Sequence, residues 1–250
     1  WSSSAASDVY KRQVSLLFIA GTCIGSFITS LNEKLASESN FFGLSFFTAR
    51  SSCNHCHRQL FFFDLIPIVS YLYLRGKTRC CHKTIPHHYF INEIIYGLLI
   101  VFAYLEANTF IFFLISSIFY SALIAIALFD RDFLIIPKTY LLIILFLGLF
   151  NIYLTDSYNF LISATFMTVA VYLIKFIFDN LFAKNTFGMG DVLLIFNLGL
   201  FVDFFSLSLI LFLSSLIGIV HGLSKKDILK TPLPFAMHLV MGSLVFFSLY

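Results

Sequence analysis

Long apolar segments dominate this chain and constrain its fold more than any other feature. Of its 250 residues, 59% are hydrophobic and only 12% are charged, whereas the apolar share of a soluble domain is about 45–50%. A helix that crosses a bilayer needs roughly 20 mostly apolar residues, and lipid does not admit strands with open edges. The composition therefore predicts an all-α membrane protein with several spans.

We predict about eight transmembrane helices. The sixth is short, and the alternative is that it forms a re-entrant pair with the seventh. The predicted spans are Val14–Leu31, Tyr89–Leu105, Thr109–Phe129, Tyr140–Leu154, Phe160–Phe178, Val192–Phe205, Ser206–Leu223 and Pro234–Tyr250.

The Lys and Arg residues predict which way these helices run, because basic residues accumulate in cytoplasmic loops. If the N-terminus is outside, nearly all of them lie in loops on the inner side. The exceptions are Lys11, Arg12 and Lys175, and we expect Lys175 to snorkel from the inner end of the fifth span. Three loops on the outer side carry no Lys or Arg, namely Glu106–Asn108, Thr155–Asn159 and Asp203–Ser206. The net charge of +3 is explained by membrane lipid headgroups, so no nucleic acid partner is expected.

The predicted organisation has four parts. Residues 1–13 differ from the rest and begin without Met, so we expect a non-native leader there. Residues 14–31 form the first transmembrane helix, residues 32–88 a cytoplasmic loop, and residues 89–250 a seven-helix core.

The cytoplasmic loop contains four of the five cysteines. Cys53 and Cys56 form a C-x-x-C pair, and Cys80 and Cys81 follow after 23 intervening residues. Two pairs of thiolates in a short loop suit tetrahedral Zn²⁺, a reducing cytosol argues against disulfides, and a metal would stabilise so small a module. We therefore predict a zinc site from these four cysteines.

The second half of this site is irregular. Thr78 stands where a second C-x-x-C would have its first cysteine, so the fourth ligand is left open between Cys80, His82 and none. The alternative is a loop that has lost its metal. The apolar stretch Phe61–Leu74 is too short to span a membrane, and it either lies on the membrane surface or forms the hydrophobic core of the zinc module.

Charged groups in or at the edge of membrane spans are costly, so those that remain are candidates for function. Asp130 ends the third span and Asp191 opens the sixth, and the predicted topology places both at the cytoplasmic side. Two carboxylates that approach each other cannot both ionise cheaply, so one serves as acid and the other as base. Such a pair can activate water for peptide hydrolysis.

Each aspartate also has a simpler interpretation to be weighed. Asp191 follows Gly190 and could be a helix N-cap, whereas Asp130 ends a helix, where a negative charge opposes the helix dipole and needs another explanation. Gly188 and Gly190 lack Cβ atoms, so an extended substrate could lie along the sequence GMG, although this motif alone is a weak match.

Taken in order, several segments resemble the type IV prepilin peptidases, which are G-x-G-D aspartyl proteases of bacterial pilus, type II secretion and competence systems. The resemblance covers nearly the whole chain after residue 13. The segments that carry it are GTCIGSF, RSSCNHC, DLIPIVSYLYLRGKTR, DRDFLIIP, GMGDVLL and TPLPFAMHLVMG.

The resemblance implies that Asp130 and Asp191 are the catalytic pair and that Cys53, Cys56 and Cys81 are zinc-type ligands. It implies a type IV prepilin or pseudopilin precursor as substrate, with a short basic leader ending in Gly before an apolar helix. Cleavage would occur at the cytoplasmic face of the bacterial inner membrane. Many members also methylate the new N-terminus with S-adenosylmethionine, but the sequence has no glycine-rich nucleotide-binding fingerprint.

Three residues depart from the family pattern and suggest a divergent branch. Thr78 replaces a cysteine, Lys138 replaces an aspartate, and Leu193 stands where a lysine is common. One alternative is another G-x-G-D intramembrane protease, but those lack the cysteine-bearing loop. The others are a multipass transporter, whose acidic groups would lie nearer mid-bilayer, or an assembly protein without activity.

Overall fold

The computed structural model describes residues 2–37, 51–53, 55–56, 58–182, 188–224 and 233–249. These residues form a chain of helices and, within the described ranges, no strand longer than an isolated bridge. The elements are α1 (Ser2–Ser37), a 3₁₀ helix η1 (Phe62–Leu65), α2 (Val69–Tyr73), α3 (His87–Glu106), α4 (Phe110–Phe133), α5 (Lys138–Thr155), α6 (Asn159–Phe182), α7 (Met189–Gly199), α8 (Phe204–Ser224) and α9 (Phe235–Leu249).

The predicted all-α membrane fold is confirmed. In the part of the chain that the structure describes, six helices are long and apolar enough to cross a bilayer, namely Asp8–Ala36, His87–Glu106, Phe110–Phe133, Lys138–Thr155, Asn159–Leu181 and Phe204–Ser224. The other two predicted spans correspond to α7 and α9, of 11 and 15 residues. With 1.5 Å per residue, α7 rises only about 16 Å, against a hydrocarbon thickness of about 30 Å.

The chain divides into two compact units, residues 1–121 and 122–250. In the first unit, α1 packs against α3 at glycines. A Cβ atom at Gly21 would lie 2.7 Å from the Tyr96 carbonyl oxygen, and one at Gly97 would lie 2.7 Å from the Phe18 ring. The absence of side chains at these positions lets the two backbones approach closely, as is common between membrane helices.

The first helix extends beyond its predicted bounds at both ends. The span was predicted from Val14, but α1 begins at Ser2, so the residues of the expected leader continue the same helix. Whether residues 1–13 are native to the protein stays a prediction.

In the second unit, α7 is enclosed by its neighbours. Its residues Leu194, Ile195 and Leu198 are buried, and the Asn197 side chain donates to the Leu141 carbonyl of α5 at 3.0 Å. A helix that is apolar on most sides belongs in a core, which explains how so short a helix occurs in a membrane protein. The predicted sixth and seventh spans are separate helices, since α7 ends at Gly199 and α8 begins only at Phe204.

Candidate active site and cysteine cluster

Asp130 lies in the last turn of α4 and is only 5% exposed. Its Oδ2 atom accepts the backbone N–H of Met237 at 3.0 Å, and the backbone N–H of Ala236 also bonds the carboxylate. Both donors belong to the first turn of α9, where N–H groups have no partner within the helix and the dipole is positive. The N-terminus of α9 therefore offsets the unfavourable position of Asp130 at the end of its own helix.

Asp191 is the third residue of α7 and is 8% exposed. Its Oδ2 atom accepts the N–H of Gly188, the N-cap residue, at 3.0 Å. Asp191 is therefore not the N-cap that its position after Gly190 suggested, but reaches back to the cap as the acidic residue of a capping box does.

The structure brings the two carboxylates into one site. The negative charge of Asp130 acts directly on Asp191, although the two residues come from different helices. Because both are buried, water screens their repulsion weakly. Two carboxylates that repel each other in this way can share one proton, so that one is acidic and the other basic.

Lys175 is the third charged residue of this site. Its side chain is buried in α6, and its Nζ atom lies 2.6 Å from Oδ2 of Asp179, one turn nearer the end of the helix. That it snorkels toward the inner end of this span stays a prediction. The positive charge of Lys175 acts favourably on Asp191. The site therefore contains a buried cation that opposes the effect of Asp130 on Asp191.

The two predicted substrate-binding glycines have different surroundings. A Cβ atom at Gly190 would lie 3.2 Å from Ile136, so the segment after Asp130 packs directly on the segment before Asp191. Gly188 has an extended backbone, with φ of −73° and ψ of 151°, and is exposed. Packing therefore accounts for Gly190. A Cβ atom at Gly188 would lie 3.3 Å from Oδ2 of Asp191, so the absence of a side chain there leaves room for that carboxylate.

A histidine pair beside the site was missed in the sequence analysis. The Nδ1 atom of His221, in the last turn of α8, lies 2.7 Å from Nε2 of His238, which is buried near the start of α9. His238 directly follows Met237, whose N–H holds Asp130. The only sequence signal is a histidine at each end of the loop between two apolar helices, which is too weak to predict a contact.

The four cysteines of the loop converge in the first unit. The Sγ atoms of Cys53, Cys56, Cys80 and Cys81 all lie within 4.8 Å of one another. Four thiolates around Zn²⁺, with Zn–S bonds of about 2.3 Å, would have sulfur atoms roughly 3.8 Å apart, so this donor set fits a zinc ion after small movements. The described residues that form the cluster favour Cys80 over His82 as the fourth ligand.

Two short hairpins carry these cysteines, and groups within the hairpins change the pKa values of the thiols. The bridges pair Ser52 with Gln59 and Lys77 with Thr84. Backbone N–H groups of Cys56 and His55 lower the pKa of Cys53 to about 6, whereas the neighbouring Cys56 thiol and burial raise the pKa of Cys80 to about 12. Four thiolates this close together would repel one another, and a cation among them would offset that repulsion.

Thr78 remains in contact with the cysteine cluster. Its Oγ1 atom lies 3.2 Å from Sγ of Cys81, and it also accepts the backbone N–H of Lys83 at 3.1 Å. The hydroxyl therefore lies beside Cys81, one of the four candidate zinc ligands.

Comparisons with known proteins place the N-terminal and the C-terminal part of the chain in one family. Residues 19–107 match the Bacterial Peptidase A24 N-terminal domain, and residues 117–223 match the Type IV leader peptidase family. The prepilin leader peptidase/N-methyltransferase of Bacillus subtilis is 30% identical over 242 residues, which cover 93% of this chain and 92% of the relative. The chain belongs to the type IV leader peptidase family. The resemblance found in the sequence is thereby confirmed.

Other members of the type IV leader peptidase family are similar along most of their length. The enzyme of the same description from Aeromonas hydrophila is 27% identical, covering 91% of this chain and 88% of the relative. The type 4 prepilin-like proteins leader peptide-processing enzyme of Escherichia coli O78:H11 is 28% identical, covering 95% and 96%. No solved structure matches the chain.

The departures from the family pattern lie outside the carboxylate pair. Lys138 is exposed at the first position of α5, and the Leu193 side chain is half exposed on α7. Neither is among the groups that bond or act on Asp130 or Asp191.

Proposed function

We propose that this protein is an aspartic endopeptidase that cleaves the leader of type IV prepilin or pseudopilin precursors. The observation that carries the proposal is the convergence of Asp130 and Asp191, two buried carboxylates that act on each other and are each held by backbone N–H groups. The names of the relatives from Bacillus subtilis and Escherichia coli support the substrate class.

In the proposed reaction, the pair holds one proton. The ionised carboxylate takes a proton from water as the oxygen attacks the scissile carbonyl carbon, and the protonated carboxyl group donates to the carbonyl oxygen. The tetrahedral intermediate then collapses: the ionised carboxylate takes a proton from one of its hydroxyl groups as the carbonyl re-forms, the C–N bond breaks, and the other carboxyl group donates its proton to the leaving amine, so the pair again holds one proton. The Lys175 cation supports ionisation of Asp191 during this cycle.

We infer that the active site faces the cytoplasm of a bacterial inner membrane. The support is the one-sided distribution of Lys and Arg over the loops. The descriptions of relatives also lead us to infer N-methylation of the new N-terminus with S-adenosylmethionine as methyl donor.

Zinc is the metal that the cysteine cluster fits best, with Cys53, Cys56, Cys80 and Cys81 as its ligands. The ion would join the two hairpins of the loop and stabilise their fold.

Co-expression with a candidate prepilin tests the proposal, with leader cleavage measured as a shift in gel mobility. Asp130→Asn and Asp191→Asn should each lower cleavage by roughly 10²–10⁴-fold, because an amide keeps the shape of the side chain but exchanges no proton. Asp132→Asn is the matched control, because Asp132 is exposed and pairs with Arg131 at 2.8 Å. Substantial cleavage by either single active-site variant would refute the aspartyl mechanism.

A further inference from the structure

The apolar segment between the two cysteine hairpins does not form a core. Neither η1 nor α2 has a buried residue. Six large side chains are each at least 59% exposed, namely Phe61, Phe62, Phe63, Val69, Leu72 and Tyr73. We refer to these six side chains as the aromatic face. Of the two alternatives from the sequence, the hydrophobic core of the zinc module is therefore wrong for this segment.

The opposite side of the segment is fixed to the start of α3. The N–H of Ile68 donates to the Glu93 carboxylate at 2.7 Å. The Tyr71 hydroxyl lies 2.7 Å from Nδ1 of His87, and the Tyr71 ring stacks on Phe90 with centroids 5.1 Å apart. Ile68 has a φ of 59°, a conformation that β-branched residues rarely adopt, so the contact with Glu93 is made against backbone preference.

These contacts set the height of the aromatic face relative to the membrane. His87, Phe90 and Glu93 occupy the first two turns of a helix that is long and apolar enough to span the bilayer, His87–Glu106. A segment fixed to those turns lies where α3 enters the lipid. Its outward side chains then meet the boundary between headgroups and acyl chains, where aromatic residues are favoured.

The charged residues near the aromatic face indicate which kind of lipid headgroup it would meet. Between residues 58 and 83 the chain has five basic residues, Arg58, Arg75, Lys77, Arg79 and Lys83, and one acidic residue, Asp64. Asp64 is paired with Arg79 at 3.0 Å, so the surroundings of the aromatic face are strongly basic. Such surroundings attract anionic headgroups and would repel the basic leader expected of a prepilin.

We propose that the aromatic face is a peripheral membrane anchor that inserts into an anionic leaflet beside α3. Apolar side chains enter the acyl boundary while the flanking Arg and Lys residues remain among the headgroups, as in interfacial helices. The anchor holds the two cysteine hairpins against the membrane surface. This inference does not depend on the proteolytic activity.

The test uses tryptophan fluorescence of the full-length protein in lipid nanodiscs. The chain has one tryptophan, Trp1, so the variant Trp1→Phe with Phe62→Trp has a single reporter on the aromatic face. The bilayer contains phosphatidylglycerol and lipids brominated just below the headgroups, which quench tryptophans in contact with them. The control reporter is Thr84→Trp in the same background, at an exposed position outside the aromatic face.

We expect the reporter at position 62 to lose most of its emission in brominated discs and to resist quenching by iodide in water. The reporter at position 84 should keep most of its emission in brominated discs and should be quenched by iodide. In uncharged phosphatidylcholine discs, or with Arg75→Gln and Lys77→Gln together, the quenching at position 62 should decrease.

Absence of quenching at position 62 would overturn the proposal. If iodide quenched the reporter in that case, the aromatic face would lie in water. If iodide did not quench it either, the aromatic face would be covered by protein. Equal quenching at positions 62 and 84 would also overturn it, because contact would then not be specific to the aromatic face.

Discussion

At the scale of single residues, the site depends on charges placed where their own helices do not favour them. Asp130 ends α4 against the dipole and is stabilised by N–H groups of α9. Lys175 is buried, pairs with Asp179 and acts favourably on Asp191. Each buried charge has a partner from another turn or helix, as burial requires.

The two aspartates should act as one unit, because the shared proton requires both. We expect the double variant Asp130→Asn and Asp191→Asn to cleave scarcely less than either single variant, since residues that act together give non-additive losses. Single-turnover cleavage of a prepilin by the three purified proteins checks this. A double variant much worse than both singles would mean that each carboxylate works alone.

Lys175 should be a positioning residue for Asp191 as well as a structural one. Lys175→Met leaves the Asp179 side chain, which is 24% exposed, without its cation, at a cost of about 1–3 kcal/mol in stability, and should also lower cleavage. Adding Asp179→Leu should restore thermal stability but not cleavage, because the cation that acts on Asp191 is still absent. Recovery of both properties would show that Lys175 is purely structural, and Lys138→Met at an exposed position is the control.

At the scale of elements, two segments distant in sequence meet at a glycine. The segment from Asp130 to Pro137 ends one helix and begins the next, and its Ile136 packs on Gly190 at the start of α7. This contact explains why the residues after the first aspartate matter to the position of the second.

The two glycines of the GMG sequence should respond differently to alanine. Gly190→Ala should destabilise the fold by about 1 kcal/mol through the contact with Ile136, and Ile136→Ala should relieve this strain. Gly188→Ala would place its Cβ atom 3.3 Å from Oδ2 of Asp191, so it should displace that carboxylate slightly and lower kcat, and it should also raise the KM for prepilin if the substrate lies there. Thermal unfolding together with KM measurements separates these effects, and an unchanged KM for Gly188→Ala would exclude substrate binding at this position.

The cysteine hairpins should bind one zinc ion per chain. Metal analysis of purified protein should give about one Zn²⁺, and Cys53→Ser or Cys80→Ser should lower both metal content and folded yield. Cys23→Ser is the matched control, because Cys23 is exposed on α1. Full activity and yield of metal-free protein would show that the site is vestigial.

At the scale of the whole molecule, the basic loops predict the membrane topology. Reporter fusions after Leu105, Leu154 and Phe205 should behave as periplasmic. Fusions after Leu74, Pro137 and Lys226 should behave as cytoplasmic, because Lys and Arg resist transfer across the membrane. A periplasmic signal at Leu74 would contradict both the orientation and the cytoplasmic position of the cysteines.

The sequence by itself determined the class of protein, the order of its helices and the motifs of its family. These properties are local, because hydropathy over about 20 residues decides whether a segment enters lipid. The sequence determined the ends of the helices less closely. The helix α7 was predicted to be longer than it is, because apolar composition does not distinguish a short buried helix from a membrane span.

Only the tertiary structure decided how the site is assembled. The N–H of Met237 holds Asp130 from 107 positions away, and neither the burial of Lys175 nor the pair of His221 and His238 leaves a pattern in the sequence. Likewise, Phe62 is exposed rather than part of a core because Glu93 and Phe90 contact the opposite side of its segment. Such contacts depend on how helices pack, and the periodicity of one helix does not specify its neighbours.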